Sequence, residues 1–122
     1  MKKVLIIEDD VSWQKLLSNY AEDVGAGVKC VVSAGQAIEM IDKWHPDMLI
    51  LDMLLAGETG VALLNEIKSY TDLAKLPVLI CSSVAFQKNE LAPFQVAGVF
   101  NKSTMFPDDI KVSIREVLYG AE

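Results

Sequence analysis

Four places in the sequence put chemically competent side chains at the end of a short apolar run. Glu8, Asp9 and Asp10 follow residues 4–7, and Asp52 follows residues 48–51. Ser82 and Ser83 follow residues 78–81, and Asn101 and Lys102 close the run that begins at Gly98. Brought together, Glu8, Asp9 and Asp52 would repel one another, so either some hold protons or a cation neutralises them. Hard oxygen donors that leave room for water suit Mg²⁺. With the Ser82 hydroxyl and the Lys102 ammonium added, the set can clamp a transferring phosphoryl group. Metal would lie on one side, lysine and hydroxyl on the other, and a carboxylate oxygen would be the nucleophile. A single acid after a strand is more often a loop residue or a helix cap. Four such ends together are a stronger signal.

The elements that would have to assemble this set are legible as an alternation. The runs 4–7, 28–32, 48–51, 78–81 and 98–101 are short and rich in Val, Ile and Leu, as strands covered on both faces are. Between them, apolar residues recur at helical spacing over 11–24, 34–44, 60–70 and 107–119. Gly25 and Gly120 are stop signals, and Ser33 with Gln36 forms a capping-box pattern. Thr59 is a candidate N-cap, and Pro107, Asp108 and Asp109 suit a first turn. Segment 84–96 carries Pro93, which predicts a short or distorted helix there. Five strand–helix units predict an α/β fold: a flavodoxin-like, doubly wound, five-stranded parallel sheet, (βα)₅, with strand order 2-1-3-4-5. In that order the first and third strands are neighbours, so Glu8, Asp9 and Asp52 converge at their carboxyl ends. Cys30 and Cys81 would lie three strand spacings apart, roughly 14 Å. That exceeds the ~7 Å a disulfide tolerates, so both are expected as small buried hydrophobes.

The 122 residues suit one domain, 1–122, with no effector domain expected. Hydrophobic residues make up 52% and charged residues 23%, which favours a packed core over disorder. No apolar run approaches the ~20 residues of a membrane span or the ~7–15 of a secretory signal core. The expected location is therefore cytoplasmic, with reduced thiols. Seventeen acids against eleven bases give a net charge of −6, and the lysines are scattered, which disfavours direct nucleic-acid binding.

With these residues in view, the chain resembles the receiver domain of two-component response regulators over essentially its whole length. Val-Leu-Ile-Ile-Glu-Asp-Asp (4–10) is similar to the family's acidic pocket after its first strand. Pro-Asp-Met-Leu-Ile-Leu-Asp (46–52), with Gly57 and Gly60 beyond it, is similar to the strand leading to the phosphoacceptor. Pro-Val-Leu-Ile-Cys-Ser (77–82) is similar to the strand ending in the switch hydroxyl, and Lys102 matches the family lysine. The resemblance implies Asp52 as phosphoacceptor and Asp9 as a direct Mg²⁺ ligand. Glu8 would act on the metal through water, and the backbone carbonyl of Leu54 would be a further ligand. Ser82 and Lys102 would contact the phosphoryl group, whereas Asp10 would cap the first helix. The donor would be a histidine kinase or histidine phosphotransfer domain, docking on Trp13 and Leu16, with an unknown downstream target. The domain would be a monomer, or a weak dimer through segment 84–96, the fifth strand and the last helix. It would be no enzyme beyond self-phosphorylation and self-dephosphorylation.

The sequence departs from the family pattern at three places. Ala56 stands where proline is usual. Ser103 replaces a cis-proline after the lysine; a non-proline cis bond costs ~2.5–4 kcal/mol, so a trans bond and a rearranged loop are expected. Val99 stands where the family carries Tyr or Phe, a ring that swings inward with the switch hydroxyl. The switch pair here would thus be Ser82 and Val99, with order in 83–96 rather than a ring flip reporting phosphorylation. These departures keep open a pseudo-receiver, an interaction module insensitive to phosphorylation. A haloacid-dehalogenase-type phosphatase uses the same residue types, but its Asp-x-Asp slot here reads Glu8-Asp9-Asp10. An FMN-binding loop after the first strand would be repelled by the same acids. His45 is expected as a surface residue, and Met40, Met48 and Met53 as core or near-core filler.

Overall fold

The computed structural model describes residues 1–55, 58–84 and 91–120; the side chains of Glu58, Thr59 and Ala92 are outside that description. Five strands form one parallel sheet: β1 (Lys3–Ile7), β2 (Gly27–Val31), β3 (Met48–Leu51), β4 (Val78–Ser82) and β5 (Gly98–Asn101). Their spatial order is β2-β1-β3-β4-β5, the order the alternation predicts. One detail differs. A short antiparallel pair, Leu54–Leu55 with Glu58–Thr59, stands between β3 and the next helix. It has two residues per arm, too few to register as apolar alternation.

Four α-helices are present among the described residues: α1 (Val11–Asp23), α2 (Ala34–Trp44), α3 (Gly60–Ser69) and α4 (Pro107–Tyr119). Residues 85–90 of the segment 84–96, where a short or distorted helix is predicted, lie outside the described residues. Its far end is a 3₁₀ turn, Ala92–Phe94, with Pro93 inside it.

The central strands bury both faces, and alternate residues supply two cores. Val4, Ile6, Met48, Ile50, Leu79 and Cys81 pack under α1 and α4 against Leu17, Tyr20, Ile110 and Ile114. Leu5, Ile7, Leu49, Leu51, Val78 and Ile80 pack under α2 and α3 against Ala37, Ile41, Leu63, Leu64 and Ile67. Met48 and Met53 are buried and Met40 half-buried, whereas His45 is exposed.

Local signals act largely as read. Asp10 caps α1, its Oδ1 accepting from Trp13 N–H at 3.0 Å. Ser33 Oγ accepts from Gln36 N–H, but the Gln36 side chain accepts from Val32 N–H, so the reciprocal half of the box is shifted by one residue. Pro107 opens α4. Cys30 corrects an expectation: it is exposed, because β2 is an edge strand, and both cysteines are free. Among the described residues no helix is long and apolar enough to cross a membrane.

Candidate phosphoryl-transfer site

Parallel pairing of β1 with β3 and of β3 with β4 brings the strand ends into one crevice. Glu8 and Asp52 leave neighbouring strands side by side, with Glu8 N–H donating to Val31 O and Asp52 N–H to Ile7 O, both at 3.0 Å. Glu8, Asp52 and Ser82 are buried; Asp9 faces solvent. One carboxylate oxygen from each of Glu8, Asp9 and Asp52 lies within 4.8 Å of the others.

Each oxygen of Asp52 has its own partners. Oδ1 accepts from Ser82 Oγ at 2.9 Å and from Leu54 N–H at 3.0 Å. Oδ2 accepts from Lys102 Nζ at 3.2 Å. Lys102 also donates to Glu8 Oε1, a buried ion pair, and Glu8 Oε2 accepts from Asp10 N–H at 3.1 Å. The expected set Glu8, Asp9, Asp52, Ser82 and Lys102 therefore meets in one place, and Leu54 joins it through its N–H.

Two acids share one ammonium, and the electrostatics follow. Burial pushes the Glu8 carboxyl from 4.5 up to about 7, with the charge of Asp52 adding to the shift and Lys102 opposing it. Burial alone would lower Lys102, but the hydrogen bond to Glu8 and the charges of Glu8 and Asp52 outweigh it, and its pKa is raised. Hard carboxylate oxygens in this arrangement fit a divalent cation of the Mg²⁺ type, which would relieve the repulsion that Lys102 now shares.

Gly60 packs the acid from behind. A Cβ there would come within 2.7 Å of Met53 Cα and 3.0 Å of Asp52 O. Its N–H donates to Met53 O at 3.0 Å, closing the loop that carries Asp52. Val99 lies on β5 opposite Ile80 and is 44% exposed. Leu16 is exposed on α1 and Trp13 half-buried.

Sequence reasoning missed Gln14 altogether and the contacts that Trp13 and Asn101 make. The Trp13 ring lies over Lys102, 5.0 Å from centroid to Nζ. Gln14 Nε2 donates to Glu8 O at 2.6 Å. Asn101 closes the loop after the lysine: Oδ1 accepts from Ser103 N–H at 2.8 Å, and its carbonyl accepts from the N–H groups of Thr104 and Met105. The expected rearranged loop is thus an Asx-type turn, with no cis peptide bond among the described residues. An Asn at a strand end, two residues before the Ser whose N–H it accepts, was the one available signal.

A sheet of this order with an acid–hydroxyl–lysine crevice at its carboxyl edge defines a class, and the comparisons agree. Residues 4–106 match the response regulator receiver domain, and the chain belongs to that family. It implies phosphorelay signalling, and it displaces the phosphatase and flavin alternatives. Among solved structures, chemotaxis protein CheY4 of Vibrio cholerae is 22% identical with a TM-score of 0.85, covering 97% of this chain and 99% of that one. The signal receiver domain of a putative Luxo repressor protein from Vibrio parahaemolyticus is 24% identical with a TM-score of 0.85, covering 96% and 89%. Among curated relatives, the probable transcriptional regulator ycf29 of Porphyra purpurea is 22% identical over 95% of this chain. The Regulator of RpoS of Escherichia coli is 29% identical over 67%. The chain spans 56% of the length of the first and 24% of the second.

Proposed function

We propose that this receiver domain takes a phosphoryl group onto Asp52, in a Mg²⁺-dependent step, from a histidine kinase or histidine phosphotransfer domain. The observation that carries the reading is the division of labour around Asp52: hydroxyl and amide on one oxygen, ammonium on the other. That division holds the carboxylate in one orientation. The donor's P–N bond breaks as the Asp52 O–P bond forms, and Lys102 and Ser82 are placed to meet the phosphoryl oxygens where charge develops. Asp9, Asp52 and the Leu54 carbonyl would hold the metal, with Glu8 acting through water. The metal would supply charge neutralisation on the phosphoryl oxygens. The chain acts as an acceptor, with at most self-phosphorylation and self-dephosphorylation. Trp13 and Leu16 would belong to the docking face for the donor. The single-domain reading of 1–122 and the weak dimer through 84–96, β5 and α4 stand as proposals beside it.

Incubation with a small acyl phosphate and Mg²⁺ should add one phosphoryl mass, and Asp52→Asn should abolish the gain. The same gain in that variant would sink the assignment. Titrating Mg²⁺ should change tryptophan fluorescence through Trp13, so Trp44→Phe should keep the response and Trp13→Phe lose it.

The exposed Val99, with no ring to bury, supports one second reading: a receiver whose partner binding ignores phosphate. Partner affinity unchanged by beryllofluoride would favour it.

A further inference from the structure

The backbone of Lys102 and its ammonium are held by different parts of the molecule. Main chain fixes the start of the side chain: Lys102 N–H donates to Ser82 O at 2.9 Å, and the turn beyond is closed on Asn101. The four-carbon stem is free to rotate by nature, and an ammonium prefers water. Yet the side chain is only 9% exposed. Glu8 and Asp52 attract the charge from within the crevice. On another side lies the indole of Trp13, 5.0 Å from Nζ. Trp13 is itself well seated. It occupies the third position of α1, its N–H is bonded to the Asp10 cap, and its ring packs on the core beneath α1 and α4.

We propose that Trp13 is a positioning residue whose indole holds the Lys102 ammonium over Glu8 and Asp52 and keeps water from it. The face of an indole carries negative charge density, so it attracts an ammonium while replacing part of its hydration shell. Neither acid can do this alone. A carboxylate pair pulls the ammonium inward but leaves its outer side to solvent. The ring closes that side at no charge cost, adding no fourth anion to a crevice that already holds three carboxylates. Trp13 as a whole is half-buried, and Leu16, three residues on along α1, is exposed. The role in phosphoryl transfer rests on the function proposed above, because Lys102 is then delivered where a phosphoryl group on Asp52 needs it. The placement of the ammonium does not rest on that function.

The experiment uses the Trp44→Phe protein with mono-, di- and trifluoro-tryptophan incorporated at Trp13. Each fluorine drains the ring face while barely changing its size. Phosphoryl uptake from a small acyl phosphate at saturating Mg²⁺ should fall stepwise, to about a fivefold loss with three fluorines. Trp13→Leu should be at least as slow, and Trp13→Phe should recover part of the rate. Equal rates across the fluorinated series overturn the proposal, even where Trp13→Leu is slow, because packing alone would then account for the loss. In parallel, NMR of the metal-free protein should show the Lys102 ε-methylene protons shifted upfield by the ring current, and normal in Trp13→Leu. Absence of that shift in the parent also overturns the proposal. If the parent takes up no phosphoryl group, the function reading fails, and the ring-current shift alone upholds or overturns the placement of Lys102 by Trp13.

Discussion

Both ends of the sheet pair a lysine with a tryptophan and an acid, but only one end is built as a reactive site. At the carboxyl end, Lys102 lies under Trp13 and bonds Glu8 and Asp52, both buried. At the amino end, Lys3 and Lys29 approach the Trp44 ring at 5.6 and 5.3 Å. There Lys3 Nζ donates to Trp44 O, while Asp47 N–H donates to Lys3 O and Asp47 Oδ2 accepts from Lys3 N–H. Those contacts staple β1 to the start of β3 at the rim, where water can solvate whatever is left unpaired. The residue types are the same at both ends. What differs is burial: two acids sealed in with one ammonium have one charge too many, and the crevice is poised to accept a cation or a charged group.

The contrast predicts unequal costs. Lys102→Met leaves two buried acids without their ammonium and should destabilise the fold by about 3 kcal/mol in urea unfolding. A cost near zero would mean that the crevice is wetter than its burial implies. The pH profile is the next largest effect. The Glu8 carboxyl is raised from 4.5 to about 7 in the folded chain, so the folded state binds its proton more tightly than the unfolded chain does. Its contribution therefore favours folding at low pH and is lost as pH rises through about 7. That loss should be on the order of 2 kcal/mol between pH 5 and 8, and Glu8→Gln should flatten it. Parallel slopes for the two proteins would remove Glu8 as the cause. The smallest effect belongs to the other end: Lys3→Met should shift stability by less than about 1 kcal/mol. A loss matching that of Lys102→Met would erase the distinction between the two ends.

Much of this asymmetry was legible before any coordinates. Strand ends are found from apolar runs, and parallel order then dictates which ends are neighbours, so Glu8, Asp9, Asp52, Ser82 and Lys102 could be grouped from sequence. The contact between Trp13 and Lys102 could not. It joins the first turn of α1 to the loop after β5, and no periodicity relates the two. The short pair after β3 escaped for a different reason: its arms are held by the closeness of Met53 and Gly60, a through-space constraint. Cys30 was misplaced because a hydrophobic run looks alike in a central strand and at an edge. Capping was readable at Asp10 because a carboxylate three residues before an N–H acts locally, whereas the Gln36 contact depended on where the chain enters α2.

The contact at Gly60 has a consequence for how this chain tolerates change. On the same helix, Ala62, Asn65 and Glu66 are exposed and should accept nearly any side chain. At its head, even one methyl group meets Met53 and the main chain of Asp52. A saturation library over α3 should therefore show, besides the core positions Leu63, Leu64 and Ile67, one head position intolerant even of alanine and a permissive outer face. That position carries no chemistry of its own. The variants lost there would be lost because the loop bearing the central carboxylate has nowhere to go.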